Sequence, residues 1–287
     1  MRSKAVLLIS LILTVYFTPV IGQENQDFKV MTWNIRLDVK SDSLNQWEYR
    51  RQGLCAEVMH RSPAVLGVQE ALNNQMTDLK KCLRGYRSLG VARDDGKKAG
   101  EFSALFYNRK IVKPVRSGTF WLSETPDVAG SRGWDAACNR VVTWAEFVHK
   151  ASGRHFMVFN THFDHMGDTA RVESAMLINR RIAELANRLP VILTGDFNVN
   201  AKHRAYRILT YPENEYVLAD SRQRAETTSG PDITWVSFNP EYNETDLIDF
   251  IFTTPDLKVI DNTIFDFRQS GRFLSDHLPV IATLRFN

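Results

Sequence analysis

The chain has 287 residues, 44% of them hydrophobic and 24% charged, with 36 Lys and Arg against 33 Asp and Glu. That apolar share excludes a wholly disordered chain, and 15 Gly with 10 Pro excludes a collagen-like or low-complexity one. The length is ample for a large core without covalent staples, and allows two ordinary domains or one large one.

Arg2 and Lys4 precede an apolar stretch, 5–17, interrupted only by Ser10 and Thr14, and Val20-Ile21-Gly22 follows Pro19. This pattern of charged, apolar and small residues reads as a signal peptide at 1–22; the stretch is short for a membrane span, which needs about 20 residues. The mature chain is expected to be exported, periplasmic or extracellular, with no transmembrane segment after cleavage and a monomeric state; an uncleaved anchor is the alternative. Cleavage removes two cations and no acid, so net charge falls from +3 to +1. Such a chain lacks the basic surplus with which nucleic-acid binders grip phosphates, and no stable nucleic-acid complex is expected.

No repeat or low-complexity linker interrupts the remainder, so 23–287 reads as one domain. Runs rich in β-branched and aromatic residues predict strands over 28–35, 64–69, 103–107, 141–149, 155–160, 191–194, 247–253 and 280–285. Helical patterns lie at 47–60, 73–83, 169–189 and 201–209. The third is the clearest, with Ala175, Ile178, Ile182, Leu185 and Leu189 on one face, Asp168 as its expected N-cap and Pro190 as its stop. Strands outnumber helices without alternating strictly, which suits sheets packed on each other with helices outside. Cys55, Cys82 and Cys138 match no zinc spacing. Cys55 and Cys82 fall on separate helices and can pair, but the expectation is buried free thiols.

Polar residues gather at the strand ends: Thr32-Trp33-Asn34, Gln69-Glu70, Asn160-Thr161-His162, Asp196-Phe197-Asn198 and Ser275-Asp276-His277. Oxygen donors with few cysteines suit a hard cation, Mg²⁺ or Mn²⁺. Carboxylates beside histidines can set up a base and hold an imidazole charged, and a cation with imidazolium and amide donors suits a phosphoryl transition state. Taken singly, each motif has a plainer reading. Glu70 can cap a helix, Asp196 and Asn198 can form a turn, and His277 can be a structural histidine. Asp249 is harder to dismiss, since an acid between Ile248 and Phe250 needs a partner if buried.

The order of these motifs resembles the endonuclease/exonuclease/phosphatase superfamily of metal-dependent phosphoesterases, in an exported bacterial branch, over about 28–286. The resemblance implies a four-layer α/β sandwich, with two mixed sheets face to face and helices outside, and a Mg²⁺- or Mn²⁺-assisted attack of water on phosphorus. It implies Glu70 as the main metal ligand, with Asn34 and Asp276 in support. Asp196 would orient or deprotonate the water, with Asn198 beside the phosphoryl oxygens. His277 and His162 would contact the phosphate, Asp249 would hold His277 charged, and Glu101 would pair with His162.

Arg140 is a candidate phosphate contact. Asp164, His165 and Arg171 can face substrate, or else shape a loop and cap the next helix. Arg36 stands where abasic-site endonucleases carry an acid, which puts a second metal ligand there in doubt and leaves Asp38 as a substitute; Arg36 itself is a candidate substrate contact. The 93–98 segment reads as a solvated turn. Trp47, Trp121, Trp134 and Trp235 read as packing before cleft wall. The substrate is expected to be a phosphorylated small molecule, a phospholipid headgroup or a nucleic acid, with near-neutrality favouring small ones. A non-catalytic phosphate-ligand-binding protein on the same scaffold is the reading from another class.

Overall fold

A computed structural model describes residues 27–239, 241 and 247–287; the expected signal peptide lies outside the described residues. The elements are β1 (Phe28–Asn34), α1 (Trp47–Arg61), β2 (Val65–Ala71), α2 (Asn73–Cys82), β3 (Tyr86–Leu89), β4 (Phe102–Asn108), β5 (Val112–Trp121), β6 (Val141–His149), β7 (His155–His162), α3 (Asp168–Ala186), β8 (Val191–Asp196) and α4 (Arg204–Leu209). There follow β9 (Ala219–Asp220), α5 (Ser221–Arg224), β10 (Thr227–Ser229), β11 (Asp249–Thr253), β12 (Leu257–Ile264), β13 (Arg268–Gln269), β14 (Arg272–Phe273) and β15 (Val280–Phe286).

Two mixed sheets form the body: a seven-stranded one in the order β10-β12-β15-β1-β2-β4-β3 and a six-stranded one in the order β5-β6-β7-β8-β11-β9. Strand periodicity sorts the apolar residues into three cores. Val30, Val65 and Leu105 meet Phe156, Val158, Ile192 and Ile251 between the sheets. Met31, Trp33, Leu66 and Val68 turn the other way, onto α1 and α2 through Leu54, Val58, Met76 and Leu79. On the second sheet Met157, Phe159, Val191 and Leu193 pack against Ile178 and Ile182 of α3. The result is the expected helix–sheet–sheet–helix sandwich.

The sheets approach closely at Gly67, where a Cβ would stand 2.4 Å from Asn160 Oδ1 and 2.7 Å from Thr194 Oγ1. Around it runs a buried polar network. Gln69 Nε2 donates to Thr32 Oγ1 and Asn160 Oδ1, and Asn160 Nδ2 donates to the carbonyls of Val68 and Ala104. Thr32, Gln69 and Asn160, read from the sequence as part of a chemical motif, therefore join the two sheets just below the strand ends.

Three local expectations are corrected. Cys55 and Cys82 form a disulfide, because α1 and α2 lie side by side with the two Cα atoms 6.1 Å apart, within bridging range; Cys138 alone is free. Gly167, not Asp168, occupies the N-cap of α3, and the helix ends at Ala186, where Asn187 turns left-handed well before Pro190. Strands β5 and β12 had no counterpart in the prediction. In β5, an edge strand, Pro114 sits at a register shift, where no ladder hydrogen bond is lost; β12 has a bulge between Val259 and Asp261, and its Asp261-Asn262 masks the strand pattern.

Candidate active site

The register of the strands brings the polar residues together. Asn34 ends β1, paired in parallel with Gln69 of β2. Asp196 ends β8 with His162 of β7 on one side and Asp249 of β11 on the other. Along β1, β7, β8 and β11, these four residues share parity with the side chains between the sheets, so all face the gap at its open end. Glu70 has the opposite parity. A register shift between Val68 and Ala71, with Glu70 at φ 63°, re-aims it toward Asn34. Its Oε1 accepts from Asn34 Nδ2 at 3.0 Å and its Oε2 from the Leu37 N–H at 3.0 Å.

Asn34 Nδ2 also donates to Asp196 Oδ2 at 2.9 Å, so one amide links Glu70 and Asp196. Asp196 Oδ1 accepts the Asn198 N–H, and the Asn198 amide is anchored on the Phe163 carbonyl. His277 Nδ1 lies 2.8 Å from Asp249 Oδ2, and its Nε2 lies 3.7 Å from Asp196 Oδ2. Its backbone is fixed too: Trp33 Nε1 donates to the His277 carbonyl at 3.0 Å. Burial works to lower the His277 pKa, but Asp249, Asp196 and Asp276 outweigh it and hold it well above the ordinary histidine value. Burial and the Asp249 charge push Asp196 up to about 7, with His277 and Asn34 working against them.

Asp276 is buried and follows Ser275, whose Oγ donates to the Asn34 carbonyl. Burial raises its pKa; His277 opposes this and the nearby Glu70 charge adds to it. Arg36 caps this side. Its guanidinium forks onto Asp42 and lies 3.8 Å from Asp276 Oδ2. The buried Arg50 donates to the carbonyls of Ile35 and Leu274, bracing the chain on both sides of the site, and burial pushes it down to about 10. Asp38 is turned away, its carboxylate accepting from Asn74.

Across the cavity stands a more basic wall. Glu101 accepts from Arg93 Nη1 at 2.7 Å and lies 3.8 Å from His162 Nδ1; burial raises its pKa against the pull of Arg93. Burial, then Arg140 and Arg93, hold His162 well below the ordinary histidine value, so it is neutral at neutral pH. Arg140 lines the cavity, and so does the exposed His165, whose Nδ1 accepts from Arg140 Nη2. Asp164 and Arg171 do not line it. Asp164 accepts backbone N–H groups from Ala137, Cys138, Met166 and Gly167, and Arg171 turns back to the Asp164 carbonyl and to Asp168. For these two the loop-shaping alternative describes the geometry.

The cavity holds about 630 Å³ and is lined by Glu70, Glu101, His162, Asp196, Asn198 and His277 among others. Its lining also includes Arg93 and His203, for which the sequence suggested no role in the site, and Trp235, expected as packing before cleft wall. Arg93 was placed in a solvated turn, though it stands eight residues before Glu101, on the other limb of that turn. Trp235 is 37% exposed at the cavity and bridges to His277 through the backbone, whereas Trp47 and Trp121 are buried. His203 caps α4 and bonds Asp168.

Residues 31–277 match the model of the endonuclease/exonuclease/phosphatase family. The chain belongs to that family. A family member from Bacteroides vulgatus superposes with a TM-score of 0.87 and 43% identity, over 91% of this chain and 99% of the other. The mannosyl-6-phosphatase of Bacteroides thetaiotaomicron does so with a TM-score of 0.84 and 36% identity, over 90% and 100%. An uncharacterized protein of Acanthamoeba polyphaga mimivirus is 30% identical over 174 residues, 56% of this chain; the match spans 62% of that relative, under two thirds of its length.

Enzymes of this family are metal-dependent, and the residues here fit a hard cation. Glu70 and Asp276 line one cavity, and the Glu70 charge adds to the effect of burial in raising Asp276. Asp196, Asp249 and His277 also bring ligand-type atoms within 4.8 Å of one another. In that group, however, His277 Nδ1 is already paired with Asp249 Oδ2 at 2.8 Å, and Asp196 Oδ2 already accepts from Asn34. The oxygen set of Glu70, Asp276 and Asn34 is the better nest.

Proposed function

We propose that the chain is an exported phosphoesterase that hydrolyses a phosphate ester of a small molecule with Mg²⁺ or Mn²⁺. The observation that carries this reading is the single amide of Asn34, which ties Glu70 on the cation side to Asp196 on the water side, with the charged His277 3.7 Å from the same Asp196 oxygen. Glu70, Asp276 and Asn34 would hold the cation, which supplies charge neutralisation at the phosphoryl oxygens. Asp196 accepts a proton from the attacking water, for which a carboxylate shifted toward neutral pH is suited. The water oxygen bonds phosphorus, the ester P–O bond breaks, and the departing oxygen takes a proton from solvent. His277 and the neutral His162 donate to the phosphoryl oxygens as charge builds there. Asp249 keeps His277 protonated and oriented.

A small substrate is supported by the cavity's volume of about 630 Å³ and by the likeness to a mannosyl-6-phosphatase. Export is supported by the apolar leader at 5–17 and by the Cys55–Cys82 disulfide, since such bonds persist in oxidising compartments. The test is hydrolysis of p-nitrophenyl phosphate, bis-p-nitrophenyl phosphate and hexose 6-phosphates with Mg²⁺, Mn²⁺ or EDTA. Metal-dependent turnover lost in Asp196→Ala is expected; turnover that survives EDTA, or that Asp196→Ala leaves intact, refutes the mechanism.

A further inference from the structure

We propose that Arg140, locked in place by Asp164, makes this site select phosphomonoesters over phosphodiesters. The inference rests on the phosphoesterase reading above and names the substrate class of that same site.

The basic wall holds more donors than its own acceptors satisfy. Arg93 pairs closely with Glu101, at 2.7 Å, with Asp94 3.9 Å from its Nε, and Arg140 pairs with Asp164 at 3.2 Å. Three buried nitrogens have no hydrogen-bond partner among the described residues: Arg93 Nε and His162 Nδ1, each with only a carboxylate 3.8–3.9 Å away, and Arg140 Nη1. Native proteins rarely leave buried polar groups in this state, and an ordered water or a bound ion commonly completes them. All three side chains line the cavity that holds Glu70, Asp196 and His277. The wall is thus built to receive an anion beside the reacting centre.

Arg140 is the fixed point of that wall. It is 4% exposed, and two of its three nitrogens are spoken for, Nε by Asp164 and Nη2 by His165 Nδ1 at 3.0 Å. Asp164 in turn is 1% exposed and takes four backbone N–H groups at 2.8–3.1 Å. Burial opposes its charge, but those N–H groups and Arg140 prevail and hold its pKa well below the usual carboxylate range. The carboxylate therefore stays ionised, and the guanidinium cannot swing away. Asp164 is a positioning residue; Arg140 is the group that meets the substrate.

Monoesters and diesters differ where this donor stands. A phosphomonoester has three non-bridging oxygens and approaches a second negative charge above a pKa of about 6. A phosphodiester has two such oxygens and one charge. Two non-bridging oxygens, common to both, are served by the cation side and by Asn198 and His277. The third falls to Arg140 and His162. In a diester that position is an ester oxygen, a poor acceptor with a substituent that the wall excludes.

The experiment is kcat/KM for p-nitrophenyl phosphate and bis-p-nitrophenyl phosphate, at saturating Mg²⁺, for wild type and for Arg140→Gln, Arg140→Lys and Asp164→Asn, with a thermal melt as the folding control. Wild type is expected to prefer the monoester. Arg140→Gln should lower the monoester-to-diester ratio at least ~10-fold, in line with loss of one charged donor to a phosphoryl group. Arg140→Lys should restore part of it, and Asp164→Asn should fall between. Inhibition of diester hydrolysis by inorganic phosphate should weaken in parallel. A wild type that prefers the diester overturns the proposal, as does an unchanged ratio in the folded variants; the wild-type preference is readable even if Arg140→Gln does not fold. A wild type that cleaves neither ester with Mg²⁺ or Mn²⁺ removes the phosphoesterase reading itself, a distinguishable failure.

Discussion

Asp249 and Asp196 face each other as register partners on neighbouring strands, and His277 bridges them, with Nδ1 2.8 Å from Asp249 and Nε2 3.7 Å from Asp196. Two like charges in adjacent positions on one sheet face repel, and the imidazolium compensates both. Replacing Asp249 by Asn removes the main support of the histidine's charge. We expect kcat near neutral pH to fall by about 10²-fold, within the range of positioned acid–base groups. The sign of the pH effect follows from the raised His277 pKa. The histidine is charged below that value and neutral above it, so Asp249→Asn should move the alkaline limb of the kcat profile to lower pH. The stability this pairing supplies is fully present below about pH 6.5, the unfolded value, and is lost as pH rises through the raised folded value. The variant should lack that alkaline loss. A kcat profile identical to wild type contradicts the assignment.

Glu70 reaches the site only because its backbone takes φ 63° at a register shift. Glu70→Gln keeps the hydrogen bond from Asn34 but removes a charge from the cation nest. The Mg²⁺ concentration for half-maximal activity should rise by about 10-fold or more, with a smaller loss of turnover at saturating metal. An unaltered metal titration points to another ligand.

Gly67 carries the close approach of the two sheets. A methyl there would stand 2.4 Å from Asn160 Oδ1, an atom that receives hydrogen bonds from Gln69 and Thr194. Gly67→Ala should destabilise the fold by about 1–3 kcal/mol through overpacking, and more if the network breaks. Chemical denaturation measures this directly; a loss below ~0.5 kcal/mol would mean that the sheets can part without cost.

The Cys55–Cys82 bridge closes a loop of 27 residues between two helices that pack on the first sheet. On loop entropy alone its removal should cost about 3–4 kcal/mol. Reduction, or the Cys55→Ser/Cys82→Ser pair, should lower the melting temperature, and a melt unchanged by reductant would mean the two helices hold their places without it.

Much of this architecture was legible because strand periodicity and chemistry coincide. β1, β6 and β15 are dominated by apolar and β-branched residues, broken only by single polar ones such as Lys29, Glu146 and Arg285, and their predicted ranges agree with the structure within a residue. Asn34 and Asp196 stood out as polar groups at the margins of such runs, and Asp249 as an acid inside one. What the sequence concealed depends on long-range geometry. Gln69 and Asn160 look like neighbours of catalytic groups, but only the packing of one sheet on the other reveals them as its fastening. For Asp164 the sequence leaves substrate contact and loop shaping equally open, and its four backbone donors decide for the loop. Arg93 looks like part of a solvated turn, because nothing local says that the turn folds back to bring it against Glu101. Cys55 and Cys82 could be paired only once the helices carrying them were set side by side.

The central claim is a hard cation at Glu70 and Asp276 beside a phosphoryl site bounded by Asp196 and His277. The most direct measurement is anomalous diffraction from crystals of the protein grown with Mn²⁺ and inorganic phosphate. The account predicts one strong manganese peak coordinated by the Glu70 and Asp276 carboxylates, with phosphate between it and His277 and in contact with Arg140. A peak elsewhere, for instance among Cys138, Asp164 and His165, or no ordered metal at Glu70 under conditions that support turnover, would contradict it.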